Sequence, residues 1–310
     1  MNKTIEEIAS QHLGKAGDGT VVKPYVTPDF IDNTLLVPVP RVLNRTAYNI
    51  DEQNLPFVGQ DVWNAYEFST LTENGFPVVG HVKIVYTSNS HSIVESKSLK
   101  LYLNSFNMVK LGSTVQEVIE NSKKIITDDL TNALGVPVNV EIFTPPINMD
   151  VGLPVSNVFL NVEMIVPVNK VTFNAYNETP DLLESTLQEK NTPTYLTSSS
   201  LRSNCRVTNQ PDWGDVYVYM LSKHKLQAES FLKYLVSMRK ENHFHEEICE
   251  CIYKRLHDKF NPEELFVACL YTRRGGIDIN PVRASNQSLI DNFAKNLVTA
   301  NKYVQKLWRQ

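Results

Sequence analysis

Cys205 and Asp212 are the residues best placed for chemistry, within the run 203–215, SNCRVTNQPDWGD. Cys205 lies in a polar, turn-forming stretch, and Asp212 follows Pro211 and precedes Trp213. Val216, Tyr217, Val218 and Tyr219 then alternate with the period of a half-buried strand. A thiol on a loop and a carboxyl at the mouth of a strand are a workable nucleophile and proton donor. A buried cysteine and a turn aspartate that merely hold a loop together are the structural alternative. Three other stretches carry chemistry. In 244–246, FHE, a glutamate at a helix start can accept two donors from a planar N–H/NH2 edge such as guanine presents. Phe244 and His245 beside it can stack on or close over a ring. In 95–100, ESKSLK, Lys97 and Lys100 with a helix N-terminus make a phosphate site. In 273–276, RRGG, paired arginines grip phosphate and glycines let the backbone approach a ligand. His243, His245, Cys249 and Cys251 look like a metal set, but on a helix the two cysteines point about 200° apart, so no metal is expected.

The elements that must position these groups follow from periodicity. Residues 62–70 and 78–87 read as strands joined by a turn at 73–75, ENG. From Ser98 the pattern turns helical, with Leu99, Tyr102, Leu103 and Phe106 on one face and Ser96 or Ser98 as N-cap. Residues 114–134 read as helix, ended by 135–137, GVP, with a strand at 138–143. The prolines of 35–44 suggest an extended segment or edge strand. Residues 150–172 read as extended, a further hairpin. Residues 177–200 are polar, with two prolines and a serine run, and read as a linker. Beyond them come a strand at 216–221, helices at 230–238 and 246–260, and a strand at 265–271. Ser98, Tyr102, Leu103 and Ser105 recur at one constant offset as Ser230, Tyr234, Leu235 and Ser237. Each half therefore reads strand, strand, helix, helix, strand, an internal duplication with a site expected between the halves.

Composition sets the bounds. The chain has 310 residues, 42% hydrophobic and 21% charged, enough for two domains with a core. A net charge of −4 without a basic stripe argues against direct nucleic-acid binding. No apolar run reaches the ~18 residues of a membrane span, and the N-terminal stretch has no signal-peptide core. All four cysteines lie from Cys205 onward with no disulfide framework, which suits a cytoplasmic protein. The glycines at 14, 17 and 19 do not form a dinucleotide fingerprint.

The motifs SNC-x-x-T-x-QPDWG, ESKSLKLYLNSFN, FHE and YTRRGGIDINP closely resemble those of the 7-cyano-7-deazaguanine reductases, the QueF family of nitrile reductases, in its long two-module form. The resemblance covers about residues 35–283. It implies an α+β fold of tandem tunnelling-fold modules, antiparallel sheets backed by helices that join into a barrel on oligomerisation. The modules would be 35–176 and 201–310, with 1–34 as an N-terminal extension and 177–200 as the linker. It implies NADPH-dependent reduction of the nitrile of 7-cyano-7-deazaguanine to 7-aminomethyl-7-deazaguanine, a step towards queuosine in tRNA, in a cytoplasmic homodimer. Cys205 would form a thioimide, and Asp212 would supply a proton from a carboxyl with a raised pKa. His245 would assist both proton transfer and closure. Val94, Glu95, Ser96, Phe244, His245 and Glu246 would hold the substrate, and Ser96, Lys97, Arg274 and Gly275 would hold NADPH. A tunnelling-fold amidinotransferase acting on the same nitrile, a purine-binding module without turnover and a cysteine hydrolase are the other readings. The ESKSLK run argues against the first and the Cys/Asp pair against the second. The lack of an identifiable oxyanion arrangement argues against the third.

Overall fold

The computed structural model describes residues 28–144, 150, 158–306 and 310. A strand β1 (Pro38–Pro40) leads into a one-turn helix α1 (Val42–Arg45). Strands β2 (Val58–Leu71) and β3 (Pro77–Thr87) form the expected hairpin. Gly75, at φ 85°, closes its turn by donating from N to Thr72 O at 2.8 Å. Strand β4 (Ser92–Val94) pairs back on β1, and α2 (Ser96–Asn104), α3 (Val115–Leu134) and β5 (Val138–Phe143) follow. Next come β6 (Leu160–Asn161), α4 (Val162–Ile165), β7 (Ser185–Cys205) and β8 (Pro211–Leu226). The chain continues with α5 (Ala228–Ser237), β9 (Asn242–His243), α6 (His245–Phe260), β10 (Glu264–Tyr271), β11 (Ile277–Ala284) and α7 (Gln287–Val298).

The fold is mixed α+β on a sheet of order β5-β3-β2-β11-β10-β8-β7-β6, with β9 pairing on β7. Only β6 and β9 pair in parallel; every other ladder of this sheet is antiparallel. Strand alternation divides the core between two faces. Trp63, Ala65, Val82, Ile84 and Tyr86 pack beneath α2 and α3, and Val216, Val218 and Met220 beneath α5 and α6. The intervening Val62, Val85, Tyr217 and Tyr219 face the other way, against Leu289, Ile290, Ala294 and Leu297 of α7. Sequence reading assigned α7 nothing, yet it covers the back of the sheet. Lys83 Nζ fixes its end, donating to the carbonyls of Asn296, Thr299 and Lys302 at 3.2, 2.8 and 2.8 Å. These carbonyls include orphaned acceptors of a helix terminus.

The duplication extends to individual hydrogen bonds. Ser98 Oγ accepts from Val37 N (3.1 Å) and donates to Glu95 O (2.7 Å). Ser230 Oγ accepts from Glu184 N (3.0 Å) and donates to Gln227 O (2.9 Å). Ser105 Oγ accepts from Asp32 N and donates to Tyr102 O, just as Ser237 Oγ accepts from Thr179 N and donates to Tyr234 O. In each half the two serines tie the incoming chain to the first helix.

Three expectations need correction. Residues 177–200 are not a linker: 179–184 is the second half's counterpart of the lead-in at 32–37, and Ser185 onward is the sheet strand β7. Residues 158–172 hold β6, the short α4 and a 3-10 turn rather than a hairpin; 151–157 lie outside the described residues. The N-cap of α2 is neither Ser96 nor Ser98 but Glu95, whose carboxylate accepts from Ser98 N at 2.7 Å.

Candidate active site

Cys205 ends β7, and the tight turn to β8 fixes its backbone. Cys205 N donates to Gln210 O (2.8 Å), and Asn209 N, from a left-handed residue at φ 54°, donates to Cys205 O (3.0 Å). The turn brings Asp212 back on β8, with Asp212 opposite Ser203 in the ladder. His245 opens α6 and lies flat on the Tyr271 ring, with centroids 3.9 Å apart and planes within 10°. That stacking aims Nε2 at Asp212 Oδ2, 3.4 Å away. From the turn between β10 and β11, Arg274 also reaches Asp212 and hydrogen-bonds Gln210. From the first half, α2 delivers Lys97, whose Nζ lies 3.6 Å from Cys205 Sγ.

These groups line one cavity of about 300 Å³, at the small end of the range for ligand sites. Its wall holds Cys205, Asp212, Phe244, His245 and Glu246 from one half, and Val94, Ser96 and Lys97 from the other, with Arg274 and Gly275 at the rim. The expected position between the halves is therefore observed. Glu95 is the exception. It is buried, but its carboxylate turns back to cap α2 and is not on the cavity wall. Sequence reasoning missed the floor, made by Trp63 of β2 and Ile277 and Ile279 of β11. It also missed Gln210, His243 as a wall residue, and Tyr271 as the support for His245. A hydrophobic residue in a strand gives no sign that its neighbour across the sheet comes from the other half.

Electrostatics sorts the two wall carboxylates. Burial pushes Asp212 up, but the hydrogen bond and charge of His245, then Arg274, outweigh it and hold the carboxyl below its ordinary range. The raised pKa expected for Asp212 is thus corrected: His245 and Arg274 converge on it. Glu246 goes the other way. Burial first, then the charge of Asp61, pushes it up to about 8, and its Oε1 has no hydrogen-bond partner. Behind it lies a buried network in which Arg283 holds Asp61 (2.8 Å) and Glu250 (2.9 Å), while Arg45 holds Glu250 (2.8 Å). Burial also raises Glu95. His243, held by Glu247 (3.2 Å) and Glu241 (3.4 Å), is raised because those contacts outweigh its burial.

The arrangement fits a nucleophilic thiol beside an acid pair. The unpartnered, buried Glu246 oxygen needs a ligand donor to satisfy it. The residues also fit a phosphate-bearing cofactor. Lys97 on the wall and Lys100 and Arg274 at the rim put three cations around the cavity, and at Gly275 (φ 56°) a Cβ would stand 3.2 Å from Lys100 Nζ. Among the described residues no cluster of metal-ligating side chains occurs, and no helix is long and apolar enough to cross a membrane.

Comparison with known proteins agrees with this layout. Residues 28–142 match the family model described as nitrile reductase, 7-cyano-7-deazaguanine-reductase N-term, and residues 211–289 match that of QueF-like protein. An NADPH-dependent 7-cyano-7-deazaguanine reductase of Rickettsia canadensis is 41% identical over 84% of this chain and 90% of its own length. The protein of the same name from Dechloromonas aromatica is 37% identical over 92% of this chain and 95% of its own. A solved archaeosine synthase QueF-Like structure in the apo form aligns with a TM-score of 0.28 at 18% identity, covering 32% of this chain and 97% of that one. At that score the likeness carries no argument. The two matched reductases extend over both halves and so include both walls of the cavity. The chain belongs to the family of the NADPH-dependent 7-cyano-7-deazaguanine reductases.

Proposed function

We propose that this chain reduces the nitrile of 7-cyano-7-deazaguanine to the aminomethyl group through a thioimide on Cys205. The observation that carries the reading is the placement of Cys205, the Asp212–His245 pair and the unsatisfied Glu246 on one wall. The deazaguanine edge gives Glu246 the donors it lacks, which stabilises the carboxylate against the neutral form that burial favours, and Phe244 lies beside the ring. Cys205 supplies the electron pair for a new S–C bond. One π pair of the C≡N bond moves to nitrogen, which takes a proton from the Asp212–His245 pair. Ser96, Lys97, Arg274 and Gly275 hold NADPH, with Lys100 beside them. NADPH supplies hydride when bound, and nitrile to amine consumes two. The residues keep the intermediate imine enclosed between the two additions, with Phe244 and His245 as the cover.

The tandem tunnelling-fold assignment, closure of a barrel in a homodimer, a cytoplasmic location and the absence of direct nucleic-acid contact belong to the same proposal. Four free, buried cysteines support the reducing compartment. The amidinotransferase reading needs no nicotinamide site, so it leaves the ESKSLK run and Arg274 without a cofactor phosphate to hold.

The test uses purified protein, 7-cyano-7-deazaguanine and NADPH. The expected outcome is oxidation of two NADPH per nitrile. Without NADPH, the wild-type chain should gain the mass of one substrate and Cys205→Ala none. No cofactor oxidation, or an adduct that survives in Cys205→Ala, would remove the reading.

A further inference from the structure

Lys97 belongs to a run suited to phosphate, yet its side chain is turned onto the sulfur. It is the second residue of α2, and its Nζ donates to Cys205 Sγ across 3.6 Å in a half-buried setting. Lys100, on the same helix, is engaged differently, pairing with Glu67 at 3.4 Å. The sulfur is also fixed on its own side, because two backbone bonds close the 205–210 turn. The contact therefore joins two well-anchored elements from opposite halves. An ammonium in hydrogen-bond reach of a thiol, in a cavity partly shielded from water, favours S⁻ over SH.

We propose that Lys97 is the counter-ion of the Cys205 thiolate, keeping the nucleophile ionised until it adds to substrate. This rests on the reading of Cys205 as the nucleophile. The thiol proton leaves to solvent while Lys97 keeps all three of its own. When sulfur's pair forms the S–C bond, the negative charge passes to nitrogen and is quenched there by the incoming proton. Sulfur ends neutral, and Lys97 has lost its anion. It is then free to meet an anionic group at the rim, where Arg274 and Lys100 already stand. One lysine so serves the sulfur before addition and a phosphate after it.

Alkylation of Cys205 by iodoacetamide, without substrate or cofactor and followed by peptide mass spectrometry, tests this. At neutral pH, Lys97→Met should be alkylated about tenfold more slowly than wild type, and Lys97→Arg should keep most of the rate. The deficit should close at about pH 10, where thiols ionise unaided. Wild-type alkylation of Lys97→Met at neutral pH overturns the proposal. So does a deficit that persists at the higher pH, which would mean altered access or folding. Incubation of the wild type with the nitrile separates the two ideas. If no adduct forms although alkylation behaves as expected, the counter-ion stands and the nucleophile reading falls.

Discussion

Asp212 gains its character from groups far along the chain. Its motif suggested an acid with a raised pKa, whereas Arg274, 62 residues away, and His245 hold it as an anion. Neither contact could be read from the sequence, because each depends on which strands become neighbours. The residue types were legible: Cys205, His245 and Glu246 all reach the cavity wall. Their ionisation was not, since it depends on partners. A prediction follows for Arg274→Met. Removing that cation lets the Asp212 pKa rise, so Asp212 stays protonated to higher pH. The titration of the Asp212 carboxyl, followed by NMR on the protein without ligands, should move up by about one pH unit, the effect of a nearby opposite charge. A titration that overlays the wild type would mean Arg274 does not govern this carboxyl.

At the scale of elements, helices were easier to read than strands. α3 has Thr114 as N-cap and Gly135 as left-handed C-cap, both visible in the sequence. β7 was hidden. Its outer half pairs mainly with β8, has a register shift between Leu187 and Thr192, and needs no apolar repeat there. Pro193 and the serines at 198–200 then passed for a linker. The repeated serines proved more informative than their apolar neighbours, because each has a hydrogen-bonded counterpart in the other half. Ser230→Ala leaves the exposed lead-in at Glu184 without its donor and acceptor. It should lower stability to urea by about 0.5–1.5 kcal/mol, the net value of a hydrogen bond. Ser98→Ala should lose more, about 1–3 kcal/mol, because the Val37 N–H it abandons is buried. If either variant unfolds at the wild-type midpoint with unchanged slope, the tie is not a stabilising one.

Over the whole molecule, the back of the sheet makes acid sensitivity predictable. His81 is buried there between Tyr66 and Tyr303, its Nε2 3.0 Å from Asn64 Oδ1 and its Nδ1 without a partner. Burial, then the charges of Lys306 and Lys83, push it down to about 3 from an ordinary 6.5. Between those values the unfolded chain binds a proton that the native chain refuses. Stability should therefore fall as pH drops through that window, by up to about 1.4 kcal/mol per pH unit from this residue. His81→Gln should flatten the slope between pH 6 and pH 4 in urea titrations, and an unchanged slope would assign the acid loss to other groups. The seam between the halves has a mechanical meaning. β2 and β11 are laddered from Ile277 opposite Ala65 to Ala284 opposite Val58, and Trp63, Ile277 and Ile279 of that ladder are the cavity floor. A cleft floored by a continuous ladder cannot work as a pair of jaws, since opening it would tear the sheet. Enclosure of a ligand is left instead to side chains at the cavity, Phe244 and His245 among them, over a floor that does not part.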